Sequence, residues 1–582
     1  IHRKLFYALI LFLIGYQGYS QKQKFSYLDV FNLEYVSEPQ IAPDGSRIVY
    51  RRMGFDIMKD KADGNLWIIN SDGTGHQKLT SREASEQSPQ WSPGGDRIAF
   101  ISTTAEGSEI YMYWLGSGKL AKISQLPFSP GSLTWSPKGD QLAFSMNVKK
   151  EPPVIAKIPK KPEGAKWAEK PRITDRLYHE ADGRGYIKPG FNHIFVIPSE
   201  GGAIRQITSG DYHHRGQLSW SANGERIIFS GNRTENWEYD FRNSEIYQVE
   251  VATGRIEALT SVKGPDTNPA VSPNGRYIAY LGYQDKVQTY QIDQLHIMNS
   301  DGTGARILSK DLDRSISGMI WDVNNAGLYI SYDDKGNSKI GYISLDGKIS
   351  KLADNLGGTS IGRPYAGGSF SVSRNGIVAY TQSRPDYPAE LAVLSSKTEK
   401  TTKITALNKA LFDYRTLGKV QEIWYKSSVD QRDLQGWVVY PPDYDKNKKY
   451  PFLVENHGGP VLNYGDRFSA EMQLYAAAGY VVFYPNARGS TSYGEEFGNL
   501  LYNNYPGDDY NDVMDGVDHC IKTGIAHEDE LYVTGGSAGG IMTAWIIGKN
   551  NRFKAAVVAK PVMNWISKTL VADNYFGYAN SR

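Results

Sequence analysis

The stretch Leu531-Tyr532-Val533-Thr534-Gly535-Gly536-Ser537-Ala538-Gly539-Gly540, LYVTGGSAGG, decides how this chain is read. Its first four residues are apolar or β-branched, as in a short buried strand. The run that follows, Gly540-Ile541-Met542-Thr543-Ala544-Trp545-Ile546-Ile547, is compatible with a helix. Strand, tight turn and helix in direct succession are the setting in which G-x-S-x-G forms a nucleophile elbow, because a serine on so sharp a turn needs neighbours without bulky side chains. Such a turn lifts the hydroxyl above the carboxyl ends of the strands. It also leaves the next residue's N–H free at a helix N-terminus, ready to bind an oxyanion. Ser537 is therefore the candidate nucleophile and the backbone of Ala538 a candidate oxyanion donor. A plain glycine-rich strand–helix junction would share the bare pattern; the flanking elements and a second glycine motif upstream argue against it.

That second motif is His457-Gly458-Gly459-Pro460, directly after an apolar run from Tyr450 to Glu455. Tyr480 to Tyr484 reads as another buried strand, and Val420–Tyr425 with Leu434–Tyr440 as a strand pair. Asp508 to Thr523 places Val513, Met514, Val517 and Ile521 at helical spacing. Strands alternating with helices predict an α/β domain with a mostly parallel sheet, whose chemistry sits at the strands' carboxyl ends. In an α/β-hydrolase the glycine loop after this strand supplies the second oxyanion donor, because only glycine lets the main chain approach a substrate so closely. Gly459 is the expected donor, with Gly458 the adjacent alternative. His457 precedes the nucleophile on the wrong loop for a catalytic base and is expected to brace that loop.

Upstream, from about 39 to 405, one pattern recurs seven times: an apolar residue, Ser-Pro or a variant, an Asn/Asp/Lys-Gly turn, a charged residue and an alternating strand. Examples are Trp91-Ser92-Pro93-Gly94-Gly95 before Arg97-Ile98-Ala99-Phe100 and Val271-Ser272-Pro273-Asn274-Gly275 before Tyr277-Ile278-Ala279-Tyr280. Proline presets the first turn position and Asn-Gly or Asp-Gly supplies the positive φ, so each copy reads as a hairpin. A second hairpin ending in a Leu-Thr-like strand follows in most copies. Two hairpins per unit at a period of roughly 50 residues describe a four-stranded propeller blade, and the array a WD40-like or TolB-like seven-bladed β-propeller; a sandwich or solenoid is the competing architecture. Trp91, Trp135 and Trp220 are expected to pack between blades. The third unit carries a Lys-, Pro- and Glu-rich insertion from Asn147 to about Phe191, read as an exposed excursion in which Glu180 and Asp182 mark a solvated turn.

At 582 residues the chain is too long for one core. A formal net charge of +2 with both signs mixed gives no reason to invoke nucleic acid or an anionic membrane. The basic start Ile1-His2-Arg3-Lys4, the apolar run Leu5 to Ile14 and Gly18-Tyr19-Ser20 read as a secretory signal peptide, too short to span a bilayer, implying a secreted or periplasmic protein. The first residue is Ile, which suggests a non-standard start or a clipped sequence. Cys520 is the sole cysteine, so no intrachain disulfide forms. No metal-ligand spacing, dinucleotide fingerprint or phosphate loop is present, and neither metal nor cofactor is expected. The organisation expected is a signal peptide at 1–20, an N-terminal segment at 21–38, the propeller at 39–405, a linker at 406–418 and an α/β-hydrolase domain at 419–582.

His457-Gly458-Gly459-Pro460, the run Asn486-Ala487-Arg488-Gly489-Ser490-Thr491-Ser492-Tyr493-Gly494-Glu495-Glu496-Phe497, Asp512 to Asp518, and Gly535 to Gly540 follow in this order behind the propeller. Together they resemble the prolyl oligopeptidase family of serine peptidases, in its acylaminoacyl-peptidase and dipeptidyl-peptidase 5-like branch. Ala538 stands where many relatives carry tyrosine. The resemblance implies acyl transfer from peptide substrates through a Ser537 acyl-enzyme, under a propeller that filters what reaches the site. A triad requires an acid and a base after the nucleophile. Beyond Ser537 the sequence offers Asp573, too close behind the strand predicted from Lys554 to Val562, and no histidine. The expectation is a chain truncated at Arg582, lacking the triad Asp and His and inactive as it stands. An esterase or amidase on the same fold, or a propeller binding protein with a vestigial hydrolase part, are the competing functions.

Overall fold

The computed structural model of the chain describes residues 22–578 except 81–82, 152, 157–158, 170, 359, 396–397 and 399. The expected leader at 1–20 lies outside the described residues. Turn chemistry sets the first two thirds. Tyr35–Ile41 pairs antiparallel with Arg47–Asp56 across Pro43-Asp44-Gly45, where Gly45 takes φ +78 and returns its N–H to Ala42 at 2.8 Å. Lys61–Asn70 and Gln77–Lys78 complete a four-stranded sheet. The same order recurs over 85–122, 130–206, 214–258 and 267–307, giving five four-stranded antiparallel sheets among the described residues. An eight-stranded sheet follows over 316–403, in which two four-strand groups meet at Leu356 and Gln382.

The strands after each turn were expected to alternate between core and solvent. Instead Ile98 to Ile101 are buried on both faces, as are Ile227 to Phe229, because each lies in the middle of a sheet stacked between two others. Val49, Leu66 and Ile68 meet Trp91 and Phe100 of the next sheet, and Ala99 and Ile101 meet Leu133, Trp135 and Phe144. Three of the recurrent tryptophans bond across sheets: the indole N–H groups of Trp91, Trp135 and Trp321 donate to the carbonyls of Gln40, Gln90 and Ala270, at 2.8, 3.1 and 2.9 Å. Trp220 packs on Ala143, Ile194 and Val196 of the preceding sheet with its N–H unbonded among the described residues. The row closes on itself. Val36, Ile41 and Tyr50 of the first sheet pack on Ala379 and Leu391 of the last, and the Ile41 N–H donates to Ser371 Oγ at 2.9 Å.

The Leu-Thr-like ends have a definite task. In several of the sheets a hydroxyl just past the fourth strand accepts a backbone N–H from the third at 2.8 to 2.9 Å: Thr208 from Ile194, Thr260 from Ile246, Ser309 from Leu295 and Thr405 from Leu391. The short outer strand is thereby tied in where its own ladder has run out.

The last third forms one six-stranded sheet in the order Val420–Lys426, Asp433–Val439, Val481–Asn486, Phe452–Asn456, Leu531–Gly536 and Ala555–Ala559. The first two strands run antiparallel and the remaining four are mutually parallel. Val513, Val517 and Cys520 of the helix Asp509–Lys522 pack on Phe452, Val454 and Phe483 of the sheet. The two parts are stitched together at several places. Gln23–Lys24 pairs with Arg415–Thr416, Phe25 and Leu33 pack on Phe468, and the Gly336 N–H donates to Ser492 Oγ at 2.8 Å. No described helix is long and apolar enough to cross a membrane.

Thr405 tests the hydroxyl tie. It accepts from Leu391 and donates to the buried Glu390 carboxylate at 2.5 Å. Thr405→Val leaves both partners short of a bond and is expected to cost about 1–3 kcal/mol, read as a lower urea midpoint at unchanged slope.

Candidate active site

Ser537 ends the strand Leu531–Gly536 and begins the helix Ala538–Lys549 with φ +58 and ψ −119. A non-glycine residue there costs on the order of 1–3 kcal/mol and persists only where its surroundings enforce it. The enforcing contacts are backbone to backbone. The Ser537 N–H donates to Ala559 at 3.0 Å and its carbonyl accepts from Ile541 at 3.0 Å. A Cβ added at Gly535 would stand 2.9 Å from the Asn456 carbonyl oxygen, and one at Gly539 would stand 3.0 Å from that of His457 and closer still to that of Asn456. The glycines of the motif are thus clearances through which the helix start presses on two strand ends. Ser537 itself is exposed, while Gly535, Gly536, Ala538 and Gly539 are buried.

Across from it lies the bend after Phe452–Asn456. Asn456 fixes the strand end through Nδ2, to the Thr534 carbonyl at 3.4 Å and Thr543 Oγ1 at 3.3 Å. His457 braces the loop as expected: its two ring nitrogens lie 2.9 Å from the Gly458 carbonyl and 3.0 Å from Ser490 Oγ, and burial lowers its pKa. Gly458 and Ser537 face each other, since a Cβ on Gly458 would be 3.5 Å from that of Ser537. Yet the Gly458 N–H is already spent, donating to Tyr365 Oη at 3.0 Å, which removes it as a free oxyanion donor. No such bond engages the N–H of Gly459, held at φ +123, or of Ala538 among the described residues.

Tyr365 reaches this site from the glycine-rich connection inside the eight-stranded sheet, and its ring sits 4.8 Å from that of Tyr464. Arg363 comes from the same connection. Its guanidinium grips Glu471 at 2.6 and 3.1 Å, and a Cβ on Gly536 would lie 3.2 Å from its Nη1. The same Nη1 lies 3.4 Å from Glu455, which is wholly buried and accepts no hydrogen bond there. Arg363 spends its short contacts on Glu471, so desolvation dominates at Glu455 and its pKa is pushed up to about 8. None of these groups carries a sequence signal: the residues that meet are about a hundred positions apart, and the connection reads as an ordinary loop.

The Asn486 to Phe497 run proves to be scaffolding. Arg488 sends Nε and Nη2 to the two oxygens of Asp512, each at 2.8 Å, and Ser427 Oγ donates to the same carboxylate at 2.8 Å. This buried, fully bonded pair pins the loop to the helix Asp509–Lys522. Asp573 does not approach Ser537; it accepts the Asp182 N–H at 2.9 Å on the third-sheet excursion. No three His, Cys, Asp or Glu side chains among the described residues are grouped to hold a metal ion.

Comparison with known proteins shows what the chain is similar to. Residues 466–581 match the model of the prolyl oligopeptidase family, and 163–287 that of the dipeptidyl peptidase IV N-terminal region. The uncharacterized peptidase YuxL of Bacillus subtilis is 30% identical over 569 residues, covering 94% of this chain and 84% of its own. Dipeptidyl-peptidase 5 of Porphyromonas gingivalis is 28% identical over 552 residues, covering 90% of this chain and 77% of its own. Among solved structures, Pyrococcus horikoshii acylaminoacyl peptidase superposes with a TM-score of 0.78 at 21% identity, over 95% of this chain and 82% of its own.

Glu455 gives the site a pH signature. Its carboxyl holds a proton in the folded state up to about pH 8 but releases it near 4.5 when unfolded. The folded state therefore binds more protons across that window, so stability falls as pH rises through it, by at most about 1.4 kcal/mol per pH unit. Glu455→Gln removes this slope. Unfolding at pH 5 and pH 8 is expected to show the variant gaining on the parent at the higher pH.

Proposed function

The chain belongs to the prolyl oligopeptidase family, and on that premise we propose that Ser537 is the nucleophile of a serine peptidase cleaving short peptides of the dipeptidyl- or acylaminoacyl-peptidase kind. One observation carries this reading: an exposed serine, forced to positive φ, facing a glycine bend at the carboxyl end of the neighbouring strand. In the proposed reaction Ser537 Oγ bonds to the scissile carbonyl carbon as its proton passes to a base. The oxyanion is taken up by the N–H groups of Gly459 and Ala538. The C–N bond then breaks, the amine leaves with a proton, and water releases the acyl group.

The base and the orienting acid are proposed to lie outside these 582 residues. Two features support this. No described side chain hydrogen-bonds Ser537 Oγ, and the outermost sheet strand presents Val557 at 64% exposure beside exposed Ile566, Leu570 and Val571. A parallel sheet normally has both faces covered, so further chain packing here fits the exposed apolar face. The 582-residue polypeptide alone is then without turnover. The proposed propeller has seven blades, with the eight-stranded sheet contributing two of them, and limits access to short peptides. Secretion follows from the leader read in the sequence.

The reading is tested with the chain extended to include its base and acid. Hydrolysis of an aminoacyl anilide is expected at a kcat/KM well above that of a simple alkyl ester of the same acyl group. Ser537→Ala is expected to lower it by at least about 10³-fold. Preference for the ester would move the assignment to an esterase, and unchanged turnover in the variant would remove Ser537 from the chemistry.

A further inference from the structure

A second feature of the molecule lies apart from Ser537. A cavity of about 1040 Å³ opens between the third and fourth sheets, and its wall includes Asn574 and Phe576 from the peptidase part. Phe576 seats its ring 5.5 Å from that of Phe241 and 6.4 Å from that of Tyr178, so the cavity spans both parts of the chain. It is large enough for a peptide segment of a few residues.

Its wall carries more basic than acidic side chains. Arg176, Arg184, Lys188 and Arg215 line it, against the carboxylates of Asp175 and Glu238. Arg176 is used structurally, stacked 4.0 Å over the Phe191 ring and bonded to the Gly190 carbonyl. The side chains of Arg184, Lys188 and Arg215 have no carboxylate or carbonyl partner among the described residues. Arg215 stands exposed on the cavity wall. Arg184 and Arg215 line the same cavity, both exposed and without a carboxylate partner among the described residues, so their guanidinium forks are available to an anion that enters it. His213 adds no charge, since burial holds its pKa at about 3, and burial raises that of Glu238. Trp237 and Phe241 supply apolar wall on either side.

We propose that this cavity binds a carboxylate of the peptide substrate, with Arg184, Lys188 and Arg215 as its counter-charges. The proposal rests on the peptidase reading for the nature of the ligand but not on the chemistry at Ser537. The carboxylate could be the peptide's C-terminus or an acidic side chain, and both present the same two oxygens to the guanidinium fork.

Anisotropy of tetrapeptides carrying a neutral dye at the N-terminus, titrated with the Ser537→Ala chain, separates these sources. Three peptides suffice: one with an internal Glu and a free C-terminus, its Gln analogue, and the Gln analogue as the C-terminal amide. Removal of the recognised carboxylate is expected to weaken binding about tenfold, and the difference should shrink as salt is raised. Loss at the first step assigns the side chain, and loss at the second assigns the terminus. Arg215→Gln should erase the difference, with Lys188→Gln as a second variant; both positions are exposed and neither substitution is expected to disturb folding. Equal binding of all three peptides, or a preference that survives in both variants, overturns the proposal. Failure of Ser537 to acylate in the extended chain is a separate result and bears only on the peptidase reading.

Discussion

The whole site hangs on one steric constraint: three stretches of bare main chain meet where only glycine fits. The helix Ala538–Lys549 starts against the carbonyls of Asn456 and Ala559, and Gly535, Gly539 and Gly540 provide the clearance. With that clearance the helix can begin directly off the strand, and Ser537 is pushed into its positive φ and out of the packed layer. Remove it and the helix must retreat from the sheet, taking the Ala538 N–H with it. Strain at Ser537, exposure of its hydroxyl and freedom of the donor are thus consequences of a single packing requirement.

A second dependence runs between the two parts of the chain. The bend opposite Ser537 is held from the propeller side by Tyr365, whose hydroxyl takes the Gly458 N–H, while Arg363 reaches under the elbow toward Gly536 and Glu455. Arg467, buried in the peptidase part, donates back to the carbonyls of Tyr365 and Gly336 at 3.2 and 3.1 Å. The geometry of the bend is therefore a property of the docked pair of domains. A buried carboxyl at Glu455 sits within this seam, and its raised pKa makes the stability of the folded chain fall as pH rises.

Much of this was legible in the sequence, for reasons that can be stated residue by residue. The elbow was readable because strand, glycine turn and helix each carry local signals that agree around Ser537. The sheets were readable because Pro-x-Gly turns recur in register and because tryptophan repeats at one position, where Trp91, Trp135 and Trp321 bond the neighbouring sheet and Trp220 packs against it. His457 was assignable as a brace from its order relative to the nucleophile. What escaped was everything decided by contacts between distant segments. Nothing local in Gly357 to Gly368 announces that Tyr365 will occupy the Gly458 N–H. Nor does a lone glutamate at the end of a strand disclose that it will be sealed from water beside a spent arginine. The cationic cavity escaped for the same reason: its arginines and lysine are scattered through an insertion and a strand that only the packed sheets bring together.

The central claim, that the elbow makes Ser537 the reactive group, is tested most directly by locating a covalent adduct. The chain extended to include its base and acid would be treated with a serine-directed phosphonate, digested with trypsin and mapped by mass spectrometry. One adduct per chain is expected, within the segment running from Thr523 to Lys549, where Ser537 is the sole serine. An adduct on any other segment, or none on a folded and extended chain, would contradict it.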